Sequence, residues 1–167
     1  MSQLSFPENL LIIPGLAPVV GTAAEQTSIP ISLKNVQRLW AVVYANPVGG
    51  GGAQIAIVPQ TDALVAFGSA AVLVNAVPIW TNEDAATSDV WTKRTSAVNF
   101  TTAAGHGMKM VVFEIDPSSF RSTTVATDED CFRISLTAVA ATDYSAVFYI
   151  VLPRYISKSD TRSYIVD

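Results

Sequence analysis

Short runs rich in valine, isoleucine and aromatic side chains recur along this chain between turn signals, and no long stretch carries a helical period. RLWAVVYAN (38–46) is apolar on both faces, as in a strand sandwiched between layers. Pro47 and the four glycines at 49–52 then supply a turn into AQIAIVPQ (53–60), which predicts a hairpin. MKMVVFEID (108–116) stops at the turn signal Asp116-Pro117. CFRISLTAV (131–139) alternates Ile134 and Leu136 with Arg133, Ser135 and Thr137, and AVFYIVLP (146–153) supplies another buried strand. Between these, a strand is expected near 72–80, while 61–67 admits a short helix. About five to eight strands at this spacing argue for an all-β chain built as a β-sandwich, with the jelly roll as one form of it.

The N-terminal run LLIIPGLAPVV (10–20) breaks the pattern. Glu8 precedes it, the first basic residue is Lys34, and Pro14 and Pro18 interrupt it, so it lacks the basic flank and unbroken core of a signal peptide. It is also too short and too proline-rich for a membrane helix. Pro7, Pro14, Pro18 and Pro30 instead favour extended chain. An extended apolar segment left in water forgoes about 1.5–3 kcal/mol per large aliphatic side chain, so some surface should receive it. Either its own domain or a neighbouring subunit could do so. The neighbour is the expected receiver, with Leu10, Leu11, Ile12, Ile13, Pro14, Leu16, Pro18, Val19 and Val20 as the contact residues. The chain thus divides into an extended apolar N-terminal arm (1–33), a β-sandwich domain (34–155) and a polar C-terminal tail (156–167).

Composition narrows the function. The 167 residues fit one domain, half of them are hydrophobic and only 14% charged, so a covered surface is expected. A formal charge of −4 disfavours a phosphate backbone as partner. The lone Cys131 excludes an intrachain disulfide and a cysteine zinc cluster.

The reactive inventory is small. His106, between Gly105 and Gly107, is the sole histidine and reads as a turn residue. The glycines at 49–52 lack the Lys-Ser/Thr of a phosphate loop and read as a loop tip. Two acidic clusters, Glu83, Asp84 and Asp89, and Asp128, Glu129 and Asp130, lack the spacing of a calcium loop and read as solvated turns. Cys131, beside the second cluster, reads as a structural thiol. No catalytic, cofactor or metal residue is therefore expected, and the chain is not expected to be an enzyme. Trp80 and Trp91 flank TNEDAATSDV (81–90), which could be a glycan-binding loop; the alternation of its strand is expected to turn Trp80 inward instead.

The ordered series VPIWTNEDAATSDVWTKRTSAVNFTT, MKMVVFEIDPSSF and DCFRISLTAVAATDYSAVFYIVLPRY resembles small virion structural proteins of tailed bacteriophages. The likeness covers 77–155, through Trp-Thr-Asn-Glu-Asp at 80–84, Phe-Glu-Ile-Asp-Pro at 113–117, Asp-Cys-Phe at 130–132 and Pro-Arg-Tyr at 153–155. It transfers no catalytic residues and leaves the arm and tail outside. What it implies is a capsid decoration, or cement, protein on the outer capsid surface. Such a protein would bind the major capsid protein and sister copies of itself as a homo-oligomer, a trimer being one form, with no nucleic acid or membrane partner. Alternatives are another virion part, such as a neck or tail adaptor, or a glycan-binding β-sandwich.

Overall fold

The computed structural model describes residues 10–21, 24–48, 54–105, 107–120, 130–137 and 141–154. Their strands, numbered in chain order, form two antiparallel sheets packed as a β-sandwich. The first sheet has six strands in the order β1 (Leu11–Val20), β12 (Tyr144–Pro153), β4 (Val36–Asn46), β10 (Lys109–Ile115), β7 (Val77–Asn82) and β8 (Thr92–Ala97). The second runs β2 (Gln26–Thr27), β11 (Cys131–Thr137), β5 (Ala56–Asp62) and β6 (Ala71–Val72), with β3 (Ile31–Ser32) also on β11 and β9 (Phe100–Thr101) also on β5. The helical element among the described residues is a 3-10 turn at Pro117–Phe120, where Asp116 Oδ1 accepts from the Ser118 amide at 2.9 Å and its hydroxyl at 2.7 Å.

Alternation decides which side chains meet between the sheets. From the first sheet come Leu39, Ala41 and Val43 of β4, Val111, Phe113 and Ile115 of β10, and Val147, Tyr149 and Val151 of β12, each fully buried. From the second come Ile57 of β5 and Phe132, Ile134 and Leu136 of β11, also fully buried. Phe132 meets Tyr149 edge to face across the gap, with ring centroids 6.0 Å apart. Tyr149 carries a hydroxyl into this apolar layer, which must be satisfied there. It shares a hydrogen bond with Ser28 Oγ and donates to the Ile29 carbonyl at 3.4 Å. Ser28 Oγ also accepts from the Ile134 amide at 2.8 Å, so one polar chain ties β12 to β11 between the sheets. Burial pushes the Tyr149 phenol well above its ordinary range, against the lowering effect of the Ser28 hydrogen bond.

Several expectations are corrected. The runs at 38–46 and 53–60 are not a hairpin: β4 lies between β12 and β10 in one sheet, while β5 pairs with β11 in the other. A strand apolar on both faces takes the centre of a sheet, and the connection after it crosses between layers about 10 Å apart. The expected strand at 72–80 is split between β6 and β7, in different sheets. Residues 61–67 complete β5 and then bend, with Phe67 buried at φ 50° under the Arg133 guanidinium, 4.4 Å from the ring centroid.

The division at residue 33 is not seen either. The run at 10–20 is extended, but as β1 it pairs along β12 from Leu11↔Val151 to Val20↔Tyr144. The described part of 21–33 supplies β2 and β3 of the second sheet. The strand therefore follows its own domain. Ile13 enters the core and Leu11 and Leu16 pack against it. Pro14 and Pro18 are tolerated because β1 is the sheet's edge, and the register shifts between Pro14 and Leu16 and between Leu16 and Val19. Gly15 lies against the Tyr149 ring, and its carbonyl accepts from the Ile29 amide at 2.7 Å, joining β1 to the second sheet. The tail at 156–167 lies outside the described residues.

Candidate functional site

Two surfaces of the first sheet are chemically distinctive. One is the face turned away from the core. Alternation holds over 38–46 in β4, over the whole of β10 and over 147–153 in β12, so the even-numbered residues of these stretches point outward in register. Pro14 of β1 faces Phe148, Phe148 faces Val42, Val42 faces Val112, and Val112 faces Trp80, so one apolar row crosses five strands and reaches Lys93 on the sixth. The Lys93 ammonium stands 5.6 Å from the centroid of the Trp80 ring. A parallel row runs Ile12, Ile150 and Trp40 to Glu114, which is ion-paired with Arg38. Trp40, Val42, Trp80, Val112, Phe148 and Ile150 are half-buried, whereas Pro14 and Ile12 are exposed, Ile12 by 53%.

Trp80 is thus corrected from inward to outward. Val77, Ile79 and Thr81 take the core side of β7, which leaves Trp80 on the opposite face. The β1 edge itself is a poor template for another strand, since prolines interrupt its outward row of donors. Of the expected contact residues, Ile12, Pro14, Pro18 and Val20 remain exposed, and Leu10, Leu11, Leu16 and Val19 are intermediate.

The second surface is an open pocket of about 610 Å³ at the β7–β8 end, lined by residues that include Asn82, Glu83, Asp84, Arg94 and Lys109. The loop after β7 is fixed by its own polar groups. Asn82 donates to the Ser88 carbonyl at 2.7 Å and accepts from the Asp84 amide at 3.0 Å. Thr87 Oγ1 donates to Asp84 Oδ2 at 2.5 Å. Glu83 accepts from the Ala103 amide at 3.1 Å and faces Arg94 at 3.5 Å, while Arg94 Nε donates to Thr81 Oγ1 at 2.8 Å.

The first acidic cluster is therefore split: Glu83 and Asp84 line the pocket, and Asp89 does not. The Asp130 carbonyl accepts from the Leu33 amide at 2.6 Å, and Asp128, Glu129, His106 and the glycines at 49–52 lie outside the described residues. Cys131 is a buried cysteine of β11. Trp91 is 39% exposed and does not line the pocket. Among the described residues no group of three or more His, Cys, Asp or Glu side chains could hold a metal ion. No helix of the described chain is long and apolar enough to cross a membrane. Sequence reasoning passed over Arg94 and Lys109. The signal for Lys109 was present in KMVVFEI, where it shares the alternation of Val111, Phe113 and Ile115.

Comparison of the chain with protein-family models, with curated proteins and with solved structures found no match.

Proposed function

We propose that this chain is a capsid decoration (cement) protein of the tailed-phage kind, binding the major capsid protein on the outer surface of the shell and bridging neighbouring subunits. The observation that carries the reading is the apolar row from Pro14 to Trp80 on the outward face of the first sheet. Aromatic and aliphatic side chains at the centre, with Lys93 and the Arg38–Glu114 pair toward the edges, match the core-and-rim anatomy of protein interfaces. The strand order adds support. β1-β12-β4-β10 lies against β2/β3-β11-β5-β6, an order compatible with the jelly roll expected from the sequence, an architecture used by capsid and lectin domains. The formal charge of −4 suits the outside of a shell better than the side facing packaged phosphate.

The contact proposed here differs from the one expected from the sequence. The N-terminal run was expected to clasp a neighbour as a whole; its core-facing half is consumed by its own sandwich, and Ile12 and Pro14 extend the outward face instead. Deleting residues 1–33 would remove an edge strand together with β2 and β3, so it tests folding as much as binding. The cleaner test is cosedimentation of full-length protein and of Phe148→Glu with mature, decoration-free capsids. The proposal requires stoichiometric binding by the parent chain and its loss in a folded Phe148→Glu. Absence of parent binding, or unchanged binding by the variant, would overturn it.

A further inference from the structure

We infer that the pocket at the β7–β8 end is a binding site for a hydroxylated monocarboxylate of the size of a sugar acid, held by the Lys109 ammonium. Lys109 opens β10 opposite Ala45, on the side of the strand that carries Val111, Phe113 and Ile115. It is therefore set in the core row, and only 3% of it is exposed. Lysine is almost never so buried without a partner, because taking an ammonium out of water is costly. Among the described residues its side chain makes no hydrogen bond or ion pair. Every other charged group of the pocket has one. Glu83 holds Arg94 and the Ala103 amide, and Asp84 holds Thr87. The one uncommitted charge is a buried cation that lines a cavity of ligand size.

Charge and lining choose the ligand class. Glu83 is taken up by Arg94, which leaves the Lys109 ammonium as the pocket cation outside an ion pair. A single negative charge matches that one ammonium, whereas a phosphate dianion would bring a second charge against Glu83 and Asp84. The remaining wall is mostly hydroxyl and amide, from Thr81, Asn82, Ser88 and Thr92, with Asp84 Oδ1 as an acceptor and Val90, Ala103 and Ala104 as its apolar part. Such a wall suits hydroxyl groups on the ligand rather than an alkyl chain. The loop that presents it is already held by hydrogen bonds, so little ordering is needed on binding.

The test is amide chemical-shift mapping on the full chain, titrated with D-glucuronate, a uronic-acid tetrasaccharide, D-glucose, acetate and inorganic phosphate. Glucuronate or the tetrasaccharide is expected to shift amides of Ser88, Thr92, Ala103 and Lys109 saturably. The tighter of the two tells a free acid from a glycan residue. Glucose, acetate and phosphate are expected to bind at least about tenfold more weakly. Lys109→Met, which keeps the length of the side chain, should abolish the shifts while melting no lower than the parent. Equal binding of phosphate or glucose, shifts confined to other regions, or no saturation by either acid would overturn the assignment, and these readouts stand even if the variant fails to fold. A folded Lys109→Met that retains binding, or one that melts well below the parent, would also overturn it.

Discussion

Gly15→Ala isolates the packing of the first strand on its own sandwich. A Cβ at this position would lie 2.7 Å from Tyr149 Cε2, with Cζ and Cδ2 at 3.1 and 3.2 Å. The ring cannot swing clear: it is fully buried, packs edge to face on Phe132, and its hydroxyl is bound to Ser28 and the Ile29 carbonyl. Overpacking of this kind costs about 1–3 kcal/mol. Replacing glycine also removes freedom from the unfolded chain, which returns about 0.4–1 kcal/mol. The net expectation is a loss of about 1–2 kcal/mol, or about 2–8 °C in melting temperature for a chain of this size. Gly68→Ala is the control, since nothing lies within 4 Å of its added Cβ, and it should be neutral or raise stability by up to about 1 kcal/mol. Urea and thermal melts of both variants supply the comparison. A Gly15→Ala chain as stable as the Gly68→Ala chain would show that β1 does not sit on Tyr149, and the edge-strand assignment would fall with it.

Three further outcomes follow from the same contacts. Because the Tyr149 phenol is raised, its contribution to stability is complete below the ordinary tyrosine value of about 10 and is lost as pH climbs above it. Melts from pH 9 to 11.5 should show that decline shallower in Tyr149→Phe, which should also be about 1 kcal/mol less stable near neutrality. Asp116 is held below its ordinary 3.8 chiefly by the Ser118 hydroxyl, then against desolvation by the Ser118 amide and by Arg38 and Arg154. Its contribution is thus present above pH 3.8 and is lost as pH falls toward the lower folded value; Ser118→Ala should move its NMR titration upward. Cys131 should be inert to a thiol reagent in the native protein and react at once in denaturant, and rapid native labelling would contradict its burial.

How far the sequence could be read depended on whether one strand's pattern sufficed. β11 alternates apolar and polar residues, and β10 and β12 are apolar runs that close at a proline, so each strand could be located from its own residues. The apparent hairpin between β4 and β5 failed because adjacency in sequence says nothing about which layer the chain enters after a long glycine-rich connection. Trp80 was misassigned for a related reason: Trp80 and Ile79 are both apolar, and only pairing with β10 and β8 decides which of them faces the core. The outward row needs residues from five separate strands brought into register, which no single segment contains. Lys109 escaped because a lysine at a strand end normally turns to solvent.

The position of β12 between β1 and β4 sets an order on synthesis. Of the described strands β1 is made first, yet its strand partner is made last, and their pairing joins Leu11 to Val151. Until Tyr144–Pro153 has left the ribosome, the run at 10–20 has no sheet to join, and one side of β4 stands open beside it. A strongly apolar segment of the nascent chain therefore waits for a partner made late. Chains cut short before β12 would release both unpaired surfaces together, a recipe for association between incomplete copies rather than for slow but correct folding.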